Sequence, residues 1–185
     1  MTLLDPQSIN TRISFAGLEL CSPLTVASGT FGSGREYADF VDLAQLGALT
    51  TKGVSPVAWA GNEGARITEV SSGMLNSIGL QNSGVDHFIH HDLAWLQSHA
   101  PEAKVIVNVC GHEIDEFARV IEKLEDHHGV GLYELNISCP NVDNGGMSFG
   151  TDPEVAAQVV ERVRSLTKKP LIAKLTPNVT DIAEI

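Results

Sequence analysis

The chain has 185 residues, of which 43% are hydrophobic and 19% are charged, and its mean hydropathy is close to zero. This composition is typical of a globular protein with enough apolar residues for a core, and it argues against disorder. The formal charge of -11 makes the average surface repel phosphate backbones and anionic lipids. We therefore expect neither nucleic acid nor a membrane as a partner, although a few focused lysines would still allow a small anionic ligand.

The start of the chain, "MTLLDPQSIN", lacks the basic segment and long apolar run of a secretory signal, and no stretch resembles a membrane span. A cytoplasmic location follows as the default expectation. The cysteines, Cys21, Cys110 and Cys139, are few, odd in number and far apart, which favours a reducing compartment over a disulfide framework. Cys21 and Cys110 are predicted to be buried apolar filler.

Short apolar runs alternate with helical patterns along the chain. "RISFAGLEL" predicts an N-terminal hairpin, because two alternating runs flank a glycine. The later strands are predicted at 23–28, 48–54, 103–111, 131–139 and 170–178, and the helices at 36–47, 86–99, 112–128 and 152–169, with a further helix opening in "VTDIAEI". This β-α-β-α order predicts a parallel sheet covered by helices.

A doubly wound sheet and a (β/α)8 barrel both fit that order. Polar residues lie near the C-terminal ends of five predicted strands, and barrels collect catalytic groups from several strand ends, so we predict the α/β class and the (β/α)8 TIM barrel. A complete barrel takes roughly 250 residues. We therefore expect residues 1–185 to be a single barrel domain, truncated at the C-terminus, that represents the N-terminal half to two-thirds of the fold.

Several short stretches carry candidate chemistry, each with an ordinary alternative. "ASGTFGSG" (27–34) matches neither a dinucleotide fingerprint nor a phosphate-binding P-loop, so it is either a turn or backbone close to a flat cofactor. Lys52 and Lys174 both lie in apolar strands, where an unpaired ammonium is costly, and this repetition favours a ligand over a structural role. The long irregular region 55–84 contains "MLNSIGLQN", whose amide and backbone groups match either a heterocycle or a capped turn.

"ELNISCPNVDNGG" (134–146) places Cys139 at the end of a strand among amide side chains and before a loop. A thiol in this setting is a candidate nucleophile or base, and no histidine in the stretch is obviously placed to pair with it. His87, His90 and His91 have helical spacing but no completing carboxylate or cysteine, so we predict a solvated helix face and no metal site.

Six motifs, "ASGTFGSGREY", "TTKGVSP", "GMLNSIGLQNSGVD", "NVCG", "ELNISCPNV" and "AKLTPNVTDI", together resemble the catalytic chain of the class 1 dihydroorotate dehydrogenases. They occur in the order found in that family and cover nearly the whole chain. Ile78 and Gln81 are more similar to the class 1B branch, whose members pair with an FAD and iron-sulfur subunit and use NAD.

The resemblance implies a (β/α)8 barrel with FMN across the C-terminal ends of the strands. The implied FMN contacts are Ala27, Ser28, Gly29, Lys52, Gly53, Asn108, Asn136 and Lys174. The implied dihydroorotate contacts are Lys52, Asn76, Ser77, Ile78, Gly79, Leu80, Asn136 and Asn141. Cys139 would be the general base.

The implied reaction is the oxidation of dihydroorotate to orotate in pyrimidine biosynthesis, in which a proton leaves C5 and a hydride leaves C6 for the flavin. A positioned thiolate suits removal of a proton from carbon, asparagines match the amide edges of a pyrimidine, and lysines match the substrate carboxylate and the reduced flavin. The resemblance also implies a dimer of catalytic chains, joined in class 1B by two subunits that carry FAD and a 2Fe-2S cluster. NAD, fumarate or another compound remains possible as the final electron acceptor.

Other functions fit parts of the sequence. Another FMN barrel that acts on a pyrimidine, such as a dihydropyrimidine dehydrogenase domain or a dihydrouridine synthase, shares the chemistry, although a transfer RNA partner would require a basic face. An inactive fragment that serves as an assembly piece would not retain flavin. A cysteine hydrolase would need no flavin at all.

Overall fold

The computed structural model describes residues 9–138 and 149–185. Its strands are β1 (Ile13–Phe15), β2 (Leu18–Leu20), β3 (Thr25–Val26), β4 (Ala48–Thr50), β5 (Ile67–Val70), β6 (Gly73–Asn76), β7 (Val105–Val109), β8 (Val130–Asn136) and β9 (Leu171–Lys174). Its helices are α1 (Gly84–His87), α2 (Ala94–His99), α3 (Ile114–Leu124) and α4 (Pro153–Arg164), and a π-helical segment, Phe88–Leu93, joins α1 to α2.

The central element is a parallel sheet of five strands in the order β3-β4-β7-β8-β9. The strands are adjacent in chain order, with helical segments between β4 and β7, between β7 and β8, and between β8 and β9. This sequential β-α progression is the pattern of a (β/α)8 barrel and not of a doubly wound sheet, whose strand order reverses. The predicted fold class is confirmed, with the described residues forming part of a barrel.

The two sides of the sheet have different partners. On the outer side, residues such as Val107, Tyr133 and Leu135 are fully buried in the main core, which also contains Phe117 of α3 and Val159 of α4. On the inner side, Ala48, Ile106 and Leu132 form a smaller buried cluster near the amino ends of the strands, with Leu18 of the hairpin and Ile172 packed against it. The period of two along each strand therefore separates an apolar outer face from an inner face that becomes polar toward the carboxyl ends.

The predicted hairpin is confirmed as β1 and β2, and the five predicted parallel strands are found as β3, β4, β7, β8 and β9. The predicted helix over 36–47 is wrong. Only two short 3-10 turns form there, Arg35–Tyr37 and Leu43–Gln45, and the Asp42 side chain accepts a hydrogen bond from the backbone N–H of Ala44. An Asp that bonds its own neighbouring backbone competes with a continuous helix.

Two further differences concern shorter segments. The region 55–84, predicted as irregular, contains the antiparallel pair β5 and β6. The helix predicted to open in "VTDIAEI" is the 3-10 turn Ile182–Glu184. Over residues 9–138 and 149–185, no helix has both the length and the apolar character that crossing a membrane requires.

Candidate active site

The parallel strands bring the predicted polar residues to one edge of the sheet. Asn136 and Lys174, the last residues of β8 and β9, are register partners, and Asn108 of β7 is the register partner of Glu134 on β8. Lys52 and Gly53 follow the end of β4, while Ala27, Ser28 and Gly29 follow β3. All eight predicted cofactor residues thus lie at or just beyond strand carboxyl ends, the position at which barrels place their active sites.

The glycine-rich loop folds back onto the end of β4. The backbone N–H of Lys52 donates to the carbonyl of Gly32 at 2.9 Å, and the Lys52 ammonium lies 3.9 Å from where a Cβ on Gly29 would be. Gly29 has φ +82°, in the left-handed region that favours glycine. The loop after β3 and the lysine after β4 therefore form one continuous surface.

The two predicted asparagines are connected by side-chain hydrogen bonds. Asn108 is fully buried and donates from Nδ2 to Oε1 of Glu134 at 2.6 Å. Asn136, also buried, makes a long contact from Nδ2 to Oδ1 of Asn108 at 3.5 Å and accepts from the Ser138 hydroxyl at 2.6 Å. Glu134 and Ser138 were not predicted as site residues.

A signal for Glu134 was present in the sequence. Leu132, Glu134 and Asn136 alternate along a buried strand, so the glutamate had to share the inner side of the sheet with the asparagine that was predicted. No such signal predicts the contact between Asn108 and Asn136, because this contact depends on the pairing of β7 with β8.

Lys52 and Lys174 are both half-buried. Within residues 9–138 and 149–185, neither ammonium has a hydrogen-bond or ion-pair partner. A half-buried ammonium without a carboxylate is available to an anionic ligand or to an electron-rich ring.

The predicted substrate loop has a more peripheral place. Asn76 ends β6 and is exposed, and the hairpin of β5 and β6 is a sheet of its own. Asn62 holds the next residues, because its side chain donates to the Ser77 hydroxyl at 2.8 Å and its N–H donates to the carbonyl of Ile78 at 3.1 Å. Gly79 and Leu80 follow with positive φ. No hydrogen bond between described residues joins 76–80 to the five-stranded sheet, so their contact with a substrate stays a prediction.

A cavity of about 530 Å³ lies beside the strand ends. Lys52 and Gly53 line it together with Gln81 and Asn82, which follow the loop. Its opposite wall includes Asp92, and burial raises the pKa of this carboxyl. The cavity therefore connects the lysine of β4 with the end of the substrate loop, whereas Asn108, Asn136 and Lys174 are absent from its described lining.

The remaining cysteine and histidine predictions have different outcomes. Cys139 and Asn141 lie outside the described residues. Cys110 is buried as predicted, but Cys21 is exposed, and its thiol donates to the carbonyl of Leu46 at 3.1 Å, so the prediction of buried filler is wrong there. Cys21 directly follows the hairpin, and its sulfur also lies 3.3 Å from the carbonyl oxygen of Ala44.

His87, His90 and His91 are exposed, as predicted, and no group of three potential metal ligands occurs among the described residues.

The strand ends fit a flat, polar cofactor such as FMN. A Cβ on Gly53 would lie 3.3 Å from both Asn108 Oδ1 and Cys110 Sγ, a tight contact that glycine avoids at this position. The buried amides of Asn108 and Asn136 and the half-buried ammonium groups of Lys52 and Lys174 lie at the same strand ends. This combination of hydrogen-bond donors and positive charge suits the polar edge of an isoalloxazine ring.

The fold defines the chain as part of a (β/α)8 barrel, and its candidate ligand site lies at the carboxyl ends of the strands. Residues 10–185 match the family model for dihydroorotate dehydrogenase. The chain therefore belongs to the dihydroorotate dehydrogenase family, which confirms the resemblance of its six motifs.

Curated relatives support the same family. The chain is 53% identical over 177 residues to a protein of Lachnoclostridium phytofermentans, and 52% identical over 177 residues to one of Alkaliphilus metalliredigens. It is 49% identical over 173 residues to one of Geotalea uraniireducens. Each is named dihydroorotate dehydrogenase B (NAD(+)), catalytic subunit. These matches cover 94–96% of this chain but only 56–58% of the relatives, so the chain spans somewhat more than half of their length.

Proposed function

We propose that the protein to which this chain belongs oxidises dihydroorotate to orotate with bound FMN. The observation that carries the proposal is the convergence of Lys52, Asn108, Asn136 and Lys174 at one edge of the sheet, in a chain whose family model covers residues 10–185. The names of the relatives supply the substrate, and the strand ends supply groups of the right chemistry for it.

The chain's own residues would bind and orient the reactants. Lys52 and Lys174 offer positive charge to the substrate carboxylate and to electron density on the flavin. Neither lysine has a carboxylate partner among the residues that the structure describes. Asn136 offers an amide to the pyrimidine, and Asn76 to Leu80, with Asn141, would complete the substrate site. A ring without matching amide edges would leave buried polar groups unpaired.

Cys139 would remove the proton from C5, because it directly follows the strand end that carries Asn136 and Ser138. FMN, when bound, would accept the hydride from C6. Ala27, Ser28, Gly29 and Gly53 would contribute backbone to the flavin site, because small residues let a flat ring come close to the chain. The lysines and amides thus orient the substrate, while the thiol handles the proton.

The assembly would follow the B-type relatives, whose names describe a catalytic subunit that works with NAD. We propose a dimer of catalytic chains joined by a partner subunit that carries FAD and a 2Fe-2S cluster. In this arrangement electrons would leave the barrel through the partner, and NAD would bind there.

Product analysis tests the proposal. The natural protein that contains this chain should convert dihydroorotate to orotate in the presence of an electron-accepting dye, and should leave dihydrouracil, which lacks the carboxylate, unchanged. Orotate is measured by its ultraviolet absorbance. Turnover of dihydrouracil in preference to dihydroorotate would support a different pyrimidine-oxidising barrel, and turnover of neither compound would contradict the proposal.

A further inference from the structure

Three side chains on the inner side of β7 and β8, together with Ser138 just beyond β8, form a hydrogen-bonded series with a single direction. Ser138 donates to Asn136, Asn136 donates to Asn108, and Asn108 donates to Glu134, with donor-to-acceptor distances of 2.6, 3.5 and 2.6 Å. Asn108 and Asn136 are the two amides that the proposed function assigns to FMN, and the inference below rests on that proposal.

Only one member of this series can set its direction. An asparagine amide can turn over and exchange its donor with its acceptor, and a serine hydroxyl can donate or accept. An ionised carboxylate accepts only. If Asn108 turned over, its carbonyl oxygen would face the Glu134 carboxylate, and two acceptors would lie at hydrogen-bond distance with no proton between them. Without Glu134, the whole series could reverse and still have every internal bond.

The direction decides which atoms remain for a ligand. As observed, each asparagine uses one N–H and its carbonyl oxygen within the series, which leaves each of them one N–H to offer. In the reversed series Asn136 would donate to Ser138, and Asn108 would donate to Asn136. The N–H and the carbonyl oxygen of each amide would then exchange places, and a ligand would meet the other edge of the amide. A flavin has a fixed order of donors and acceptors and would meet the wrong groups.

We infer that Glu134 is a positioning residue, whose carboxylate fixes the amide orientation of Asn108 and, through it, of Asn136 for binding of FMN. Glu134 acts through the asparagines and touches neither flavin nor substrate. Neighbouring residues of a strand face opposite sides of the sheet. Tyr133 lies in the core on the outer side, so the Glu134 side chain lies on the inner side.

The test compares Glu134→Gln with a matched control, Glu125→Gln. Both changes replace a partly buried carboxylate with its amide, but Glu125 accepts from the Tyr133 hydroxyl and pairs with Lys169 in the outer layer. The readout is the dissociation constant for FMN, measured by flavin fluorescence on the natural protein after removal of its flavin. We expect Glu134→Gln to weaken FMN binding about ten-fold and Glu125→Gln to change it by less than about two-fold.

A second variant, Glu134→Asp, separates the effect of the hydrogen-bond direction from the effect of side-chain volume. Aspartate keeps an acceptor-only group but loses volume, whereas glutamine keeps the volume but can also donate. We expect the aspartate variant to bind FMN more tightly than the glutamine variant. The opposite order, equal losses in Glu134→Gln and Glu125→Gln, or wild-type affinity in a folded Glu134→Gln would overturn the inference.

Measuring FMN binding and flavin reduction separately distinguishes a failure of the Glu134 inference from a failure of the proposed reaction. If the wild-type protein binds FMN but dihydroorotate does not reduce it, the substrate assignment fails, while the affinities of the variants still decide the role of Glu134. If the wild-type protein binds no FMN, the inference fails together with its premise.

Discussion

The surroundings of Lys52 and Lys174 differ from those of two other lysines in the chain. Lys123 and Lys169 have carboxylate partners, whereas Lys52 and Lys174 have none among the described residues, although both are half-buried. An ammonium held in that state contributes little to stability and is available for a charged ligand.

Removing one of these charges should therefore affect ligand binding more than folding. We expect Lys52→Met to raise the dissociation constant for orotate at least about ten-fold, because a charge-assisted hydrogen bond is lost. Orotate binding is followed by its perturbation of the flavin spectrum. The matched control is Lys104→Met, an exposed lysine at the amino end of β7, which should leave the constant unchanged. Equal effects of both changes would indicate a general loss of positive charge and would contradict a role for Lys52 in the site.

A second residue-scale prediction concerns pH and the outer layer. Burial raises the pKa of the Glu125 carboxyl, but hydrogen bonds from Thr167 and Tyr133 and the charge of Lys169 outweigh it and hold the pKa below its ordinary value. A depressed folded-state pKa contributes stability above the unfolded pKa, and this stability is lost as the pH falls through the folded value. In Glu125→Gln, the unfolding free energy should therefore decrease less steeply as the pH falls below about 4.5. The difference in unfolding free energy should be about 1 kcal/mol or less, because the carboxyl is partly exposed.

Urea unfolding at a series of pH values from neutral to acidic measures this effect. The curves of wild type and Glu125→Gln should converge as the pH falls. Parallel curves over the whole range would show that Glu125 has no part in the acid sensitivity of the fold.

At the scale of elements, helix α4 shows how a local sequence signal becomes structure. Asp152 accepts hydrogen bonds from the N–H groups of Glu154 and Val155, and Pro153 occupies the first helical turn. These are the residues that start a helix, because the cap satisfies donors that have no partner within the helix.

Loss of this cap should lower stability measurably. Asp152→Ala is expected to reduce the unfolding free energy by about 1 kcal/mol, while Asp152→Asn, which keeps an acceptor, should cost less. Thermal unfolding followed by circular dichroism at 222 nm compares the two variants with wild type. If alanine and asparagine had equal effects, the side-chain bonds to Glu154 and Val155 would not be the stabilising contacts.

The predicted elements were accurate where apolar periodicity was strong. Strands β4, β7 and β8 and helices α3 and α4 contribute buried apolar side chains to the main core, and β3 and β9 each pack a partly buried side chain against it, so their pattern is dictated by packing. The segment 36–47 has a similar apolar period, but Asp42 bonds its own backbone neighbourhood and only short turns form. The hairpin of β5 and β6 escaped prediction because its strands are exposed throughout, so neither face shows a buried alternation.

At the scale of the whole molecule, the site is defined by the topology of the barrel. Sequence reasoning could assign Lys52, Asn108, Asn136 and Lys174 to one region, since parallel strands end at the same edge of a sheet. It could not identify the contact of Asn108 with Glu134, because that bond depends on the register between β7 and β8. The position of residues 76–80 relative to this edge likewise depends on tertiary packing, and no local sequence pattern predicts it.

The proposed assembly makes a prediction about electron transfer. Catalytic chains without the FAD and iron-sulfur subunit should pass electrons from dihydroorotate to an artificial dye but not to NAD, because the proposed assembly has its NAD site on the partner subunit. Addition of the partner subunit should restore reduction of NAD, followed at 340 nm. Reduction of NAD by catalytic chains alone would contradict the assignment of the NAD site to the partner.

The most direct test of the account is the anaerobic visible spectrum of the natural protein before and after addition of dihydroorotate. We expect a flavin absorption band at about 450 nm that bleaches when dihydroorotate is added. In Cys139→Ser, FMN should remain bound and the band should bleach much more slowly. A protein without the flavin band, or a band that dihydroorotate leaves unchanged, would contradict the account.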